Sequence, residues 1–449
     1  MATSRKKDAL DGRTVNLSWL RRLAPGGLSL GSTGQEWFLT LVDQVVVSGA
    51  SFLAGVIIGR TCEKEQFGLY FLGLTIIGLV MQLQYVVIWS PYSVFGPRLS
   101  KSAQALYTGS SLLHQLAFSV LGMLILTVSG VFFSKTGLGP HGLESVIWAL
   151  VVVIFFITLR EYIRRIFFAR CRMMAALVFD SLTGILQICG LFLVAFLGEL
   201  TAARAFGVLG LGCALTAVFW FFWARQDFIF SIKQAVIDLG KNWSFGRWVL
   251  GSDTAIFLGS QMFPWFLAGY SGPAAVGILA ACQGVVALAN PFLQGSCIFL
   301  EPKAAHSFAQ GGRVRLRQFV GKSTILMGTV LGLFCVGIYV FGDQLAVLLY
   351  GPKYDGNQSI IFLLALTALV SALDTGIYFG IRASGRPDLN FKINLIRLGV
   401  TITLGWWLVH TYGLLGVAWG LLASSLATCA AQILLFIKTF YCVSSDQIN

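Results

Sequence analysis

The sequence predicts an all-α, polytopic membrane protein of about twelve transmembrane helices, arranged as two parallel six-helix repeats. Twelve apolar stretches reach the roughly 20 residues a helix needs to cross the hydrocarbon core. They are centred near Val47, Leu79, Leu121, Val152, Leu186, Val218, Leu258, Val286, Leu331, Thr367, Leu404 and Ala427. The basic residues fall in alternate gaps. Of 32 Lys and Arg, six precede the first stretch, 21 lie in even-numbered gaps or after the last stretch, and five lie in odd-numbered gaps. Those five are Arg60, Lys64, Lys135, Arg204 and Lys353. Basic residues in short loops mark the cytoplasmic side, so both termini are expected there. Composition agrees: 56% of residues are hydrophobic and 11% charged, against about 25% charged in soluble domains.

Residues 1–35 form a basic N-terminal tail without the continuous apolar core of a signal peptide. Residues 36–224 carry the first six stretches and residues 248–441 the second six. Between them, 225–247 is polar-rich, but Phe228, Phe230, Ile232, Ala235 and Val236 give it the pattern of an amphipathic surface helix. Residues 442–449 form a short cytoplasmic tail. The halves share features at an offset near 209 residues: Trp37 and Asp43 against Trp248 and Asp253, Gly68 against Gly277, and Pro97-Arg98 against Pro302-Lys303. Six helices is an even number, so both halves enter the membrane in the same sense, as in a transporter with parallel repeats.

More specific features follow in order: Ser48-Gly-Ala-Ser-Phe52, Gly59-Arg60, Phe67-Gly68-Leu-Tyr70, Pro91 and Gly96-Pro97-Arg98. Then come Arg164-Arg165 with Ala169-Arg170-x-Arg172, and Leu349-Tyr350-Gly351-Pro352-x-Tyr354. This order resembles the polysaccharide transporter and oligosaccharide flippase branch of the MATE-like (MOP) exporter superfamily, over roughly Trp37 to Tyr441. The resemblance implies a two-lobed, MATE-like bundle that alternates its opening. It also implies movement of a lipid-linked oligosaccharide on a polyprenyl pyrophosphate from the cytoplasmic to the outer leaflet of a bacterial inner membrane.

Such a cargo needs cations for its pyrophosphate, and the planar fork of Arg suits phosphate oxygens. Arg397, Arg98, Arg170 and Arg247 are the candidates for the anionic head group. Gln82, Gln84, Gln115, Gln187, Gln261 and Gln283 are expected to make a wet cavity for sugar. Ionisable groups within spans cost about 2.5–3.5 kcal/mol each on insertion scales and are functional candidates. Asp43, Asp180, Asp253 and Asp374 all lie about 10 Å from the cytoplasmic boundary at 1.5 Å per residue. They are candidates for coupling to H+ or Na+, with internal pairing as the competing reading. His114 is expected to be a hydrogen-bonded structural residue.

No cofactor, metal site or nucleic acid is expected. The nine Cys lack metal-ligand spacing, and the +13 net charge lies between spans, where it meets anionic membrane lipid. Gly321-Lys322-Ser323 is not a phosphate-binding loop, because Leu316 stands where an upstream Gly is required. The absence of a catalytic constellation argues against an enzyme. Expected partners are the lipid-linked oligosaccharide, membrane lipid, and a glycan polymerase or glycosyltransferases. Two other functions fit the same helices: a cation-coupled multidrug exporter of the same superfamily, and a non-transporting scaffold of a polysaccharide-assembly complex.

Overall fold

The computed structural model describes residues 32–224, 228–384 and 387–438. Most of both expected tails, the linker residues 225–227 and Arg386 lie outside them. Every regular element among the described residues is helical. Among the described residues, nine helical runs are long and apolar enough to cross a membrane, but one spans 94 residues and another 49. The longer breaks at Gly272 and at Gly311–Gly312, the shorter at Gly413. Gly272, Gly312 and Gly413 have φ of 79°, 54° and 55°, a left-handed region in which a Cβ is strained. These breaks resolve the nine runs into the twelve helices expected.

In chain order they are α1 Ser32–Thr61, α2 Lys64–Arg98, α3 Lys101–Thr136, α4 Leu143–Ala169, α5 Met173–Phe196 and α6 Ala202–Ala224. The second six are α7 (232–271), α8 (273–310), α9 (313–350), α10 Gln358–Ala383, α11 (387–412) and α12 (414–437). The odd-numbered connections lie at one end of the bundle, the lean end, and the even-numbered ones at the basic end.

The same helix pairings occur in both halves. α1 meets α5 where Gly184 lets Ala50 approach, and α7 meets α11 where Thr401 Oγ1 donates to the Gly259 carbonyl at 2.9 Å. α4 packs on α6 through Val153 and Gly210, and α10 on α12 through Gly380 and Phe436. α3 packs on α4 through Gly130 and Trp148, and α9 on α10 through Gly328 and Leu373. Small residues that let backbones approach are the usual basis of helix association in lipid. The halves themselves join through α2, which packs on α7 and α8. Trp265 Nε1 donates to Thr75 Oγ1 at 2.9 Å across that seam.

The linker is helical from Ile232, where Ser231 caps the first turn by accepting from the Gln234 amide at 3.3 Å. It is held to α3. The Ile229 amide donates to the Ala105 carbonyl at 3.2 Å, and Tyr107 OH donates to Asn242 Oδ1 at 2.7 Å. His114 Nε2 lies 2.8 Å from the Ala235 carbonyl, a structural role. Ile232 and Val236 remain exposed, the face an amphipathic helix turns toward lipid.

Candidate functional site

Near the basic end of the first half, α4 brings four charged side chains to one place. Arg160 and Arg164, one turn apart, both reach Asp180 on α5. Arg164 Nε donates to Asp180 Oδ2 at 2.5 Å, and Arg160 Nη2 donates to Asp180 Oδ1. Arg164 Nη2 also donates to Asp43 Oδ2 on α1 at 2.9 Å. Glu161 Oε1 accepts from Arg165 Nε at 2.6 Å, and the Arg165 guanidinium lies 4.3 Å from the centroid of the Trp89 ring. Three carboxylates thus face three guanidinium groups. Asp43 and Asp180 are almost fully buried, yet only Asp43 Oδ1 among their carboxylate oxygens lacks a partner. The two aspartates are therefore joined by Arg164 rather than spread along a common belt.

The second half is arranged differently. Asp374 on α10 and Arg397 on α11 are each other's main charged neighbours, but they make no ion pair within 4.0 Å, and Arg397 Nε is buried without a hydrogen-bond partner. The Arg397 stem lies on Gly259 of α7; a methyl there would sit 3.5 Å from its Cγ. Asn390, Asn394 and Arg397 follow one another at helical spacing on one face of α11. Asn390 Oδ1 and Asn394 Nδ2 lack partners, as do Ser425 Oγ and Gln432 Oε1 on α12. All four residues are at most 6% exposed. A buried polar group without a partner costs about 1–3 kcal/mol, so this stripe carries an appreciable cost. Water or a ligand would relieve it.

Among the other predicted residues, Arg98 is exposed at the end of α2. Arg170 Nη2 donates to Thr108 Oγ1 at 3.3 Å. Arg247 is exposed at the end of the linker. These three do not gather with Arg397. Asp253 lies on α7, and its side chain is outside the described residues. The expected glutamine-lined cavity is corrected for two members. Gln84 Nε2 donates to Gln115 Oε1 at 2.8 Å and to the Thr158 carbonyl at 2.7 Å, inside the first half. Both side chains are buried and bonded to each other, and Gln84 Oε1 keeps no partner.

Two cavities open along the seam between the halves. One of about 500 Å³ lies between α1 and α8, lined by Gln44, Ser48, Phe292, Gly295, Ser296 and Phe299, nearer the basic end. The other, about 390 Å³, lies among α2, α3 and α7 and is largely apolar, with Leu79, Leu121, Ile125, Phe257 and Gln261 in its wall. The lean end is closed. Phe67, Tyr350 and Tyr354 cluster there with ring centroids 5.7–6.3 Å apart, so two separate sequence motifs meet at one seal.

No protein-family model matches the chain. A capsular polysaccharide biosynthesis protein, CapF of Staphylococcus aureus, is 28% identical over 151 residues, which is 33% of this chain and 37% of that protein's length. Solved structures agree over much more of the chain. An inward-facing multidrug resistance MATE family transporter of the MOP superfamily matches with a TM-score of 0.73, 14% identity, and 90% of this chain covered against 96% of its own. An outward-facing MATE family transporter gives 0.63 at 16% identity, with 90% and 94% covered. A Vibrio cholerae MATE transporter gives 0.61 at 16% identity, with 91% and 96% covered. This chain is a multi-pass helical membrane protein with the fold of the MATE transporters of the MOP superfamily.

Proposed function

We propose that the chain is an alternating-access flippase. Its cargo is a lipid-linked oligosaccharide, moved from the cytoplasmic to the outer leaflet of a bacterial inner membrane, with both termini inside and the lean end outside. The observation that carries this reading is the contrast between the halves. The acids of the first half are ion-paired with Arg160, Arg164 and Arg165, whereas Arg397 makes no ion pair within 4.0 Å with its charged neighbour Asp374. A guanidinium at that depth without an ion pair is costly and suits a pyrophosphate, which it can bind through two parallel bonds. The α1–α8 cavity lies nearer the basic end, and the chain matches the inward-facing transporter better than the outward-facing one. Both support loading from the cytoplasmic leaflet. The apolar groove among α2, α3 and α7 suits a lipid tail, and the partial likeness to a capsular polysaccharide protein favours a glycan head group.

One observation favours the multidrug reading: Asp374 also lacks an ion pair and could hold an organic cation, or H+ or Na+ as the coupling ion. Charge neutralisation separates the two. Arg397→Gln at normal expression is expected to abolish glycan export, with Arg397→Lys partly active because the fork is lost. Full export by Arg397→Gln would end the flippase reading as argued from this site, and loss of drug efflux in Asp374→Asn alone would favour the rival. Export that survives neutralisation of both residues would instead favour a scaffold.

A further inference from the structure

Five basic residues break the charge asymmetry of the loops, and three of them meet at the lean end. α1 ends at Thr61, where its last carbonyls have no partner within the helix. Lys353, just past α9, donates from Nζ to the Arg60 carbonyl at 3.4 Å and to the Cys62 carbonyl. In return, Arg60 Nη1 donates to the Leu348 carbonyl at 3.4 Å, in the last turn of α9. Each half therefore supplies a cation to the carbonyl end of the other half's helix, where positive charge is favoured. Lys64 completes the group, with its ammonium 5.9 Å from the Tyr354 ring centroid and that of Lys353 at 5.4 Å. The hydrogen-bond and ring partners of all three cations are neutral, either carbonyl oxygens or an aromatic face. The exposed acids Glu63 and Glu65 lie nearby, and neither forms an ion pair with them within 4.0 Å.

We propose that Arg60, Lys64 and Lys353 are an anion-operated latch, which holds the outer mouth shut on helix carbonyls and yields to the phosphate of a lipid-borne head group. The inference rests on the flippase reading and its orientation, and it adds a phosphate site at the exit that is separate from Arg397. The bonds to the carbonyls are charge-assisted from the donor side alone, whereas a phosphate is ionised too and adds a direct Coulomb attraction to each cation. A phosphate arriving at this mouth therefore competes with the carbonyls for the same N–H groups. Drawing Lys353 and Arg60 off the opposite helix ends removes the contacts that cross the seam. The latch is selective because it responds to an anion at the outer end.

Cys62 reports on the latch. Its carbonyl lies beneath Lys353, its thiol donates to the Leu200 carbonyl at 3.4 Å, and it is 4% exposed. Burial raises its thiol above the usual range, so alkylation is slow while the mouth is shut. The test uses the purified full chain and reads maleimide modification of Cys62 by peptide mass spectrometry. Arg60→Gln and Lys353→Met are expected to modify about tenfold faster than the wild type, as loss of a charge-assisted bond implies. Lys353→Arg should stay slow, which separates an open latch from a misfolded chain.

Two anion arms follow, inorganic pyrophosphate at matched ionic strength and nanodiscs of phosphatidylcholine with or without phosphatidic acid. Acceleration of the wild type by either supports the proposal, and which arm acts tells a head-group phosphate from a bilayer phospholipid. The Arg60→Gln, Lys353→Met double variant should not respond further. Wild-type rates in both single variants, or no response to either anion, would overturn the latch. Glycan export is not read here, so this result and the fate of the flippase reading can be told apart.

Discussion

Gly68 on α2 and Gly277 on α8 lie backbone to backbone, and the contact is its own mirror across the two repeats. A methyl on Gly68 would come within 2.8 Å of the Gly277 nitrogen and would collide with the Pro273 carbonyl. A methyl on Gly277 would lie 3.2 Å from the Gly68 nitrogen and would collide with the Lys64 carbonyl. The two pairs, 68 with 277 and 64 with 273, share one offset of 209 residues. Equivalent residues that touch each other must lie beside the axis relating the repeats. That axis therefore passes through the lean end, next to the Arg60–Lys353 contacts.

Gly68→Ala and Gly277→Ala are each expected to destabilise the closed form. The colliding atoms are backbone and cannot rotate away, and overpacking of this kind costs about 1–3 kcal/mol. Thermal unfolding in detergent should shift down, and Cys62 should become more reactive. Gly337→Ala is the control, because nothing lies within 4 Å of the added methyl. Equal behaviour of all three variants would remove the seal from the lean end.

Arg164→Met should be the most destabilising single change in the first half. It strands Asp43 and leaves Asp180 with Arg160 alone, and breaking a buried pair by removing one partner costs about 3–5 kcal/mol. Adding Asp43→Asn should recover part of the loss, because the two residues share a bond. A coupling role for Asp43 predicts something else: normal folding of Asp43→Asn with lost ion dependence of transport.

Orientation is open to a direct measurement. Cysteines at Lys135 and Asp355, both exposed at the lean end, should react with an impermeant thiol reagent on whole cells. Cysteines at Arg172 and Arg315 should not. Asp355 serves better than Lys353 because Lys353 is held against α1. Reaction at the second pair would reverse the topology and with it the outward sense of the latch.

The helices were legible because length and loop charge are one-dimensional signals. Gly68 and Gly277 also stood out as a repeated pair, although periodicity alone could not say that they touch. The candidate site was less legible. Asp43 and Asp180 stand out as charges at matching depth, but their partner Arg164 stands out only within the motif near the end of α4, and Arg160 not at all. Which way a guanidinium turns depends on the packing of α1 and α5 against α4, and no local pattern encodes that. Asn390, Asn394 and Arg397 did carry a signal, their spacing on a single helix face. Attention to charge alone passed over the two asparagines.

That stripe supports the last prediction. Asn394 and Gln432 each hold a buried polar atom without a partner, and such atoms lower stability by about 1–3 kcal/mol apiece. Replacing them with apolar residues of similar size removes the cost without opening a cavity. Asn394→Leu with Gln432→Leu is therefore expected to raise the melting temperature of the purified protein. If the stripe exists to hydrate Asp374 and Arg397, the same variant should export poorly despite its greater stability, the usual trade where a site is built from strained or unsatisfied groups. A more stable variant with full export would mean that the stripe serves neither cargo nor coupling ion. A less stable one would mean that the polar atoms are paired in the membrane-embedded protein, through water or lipid.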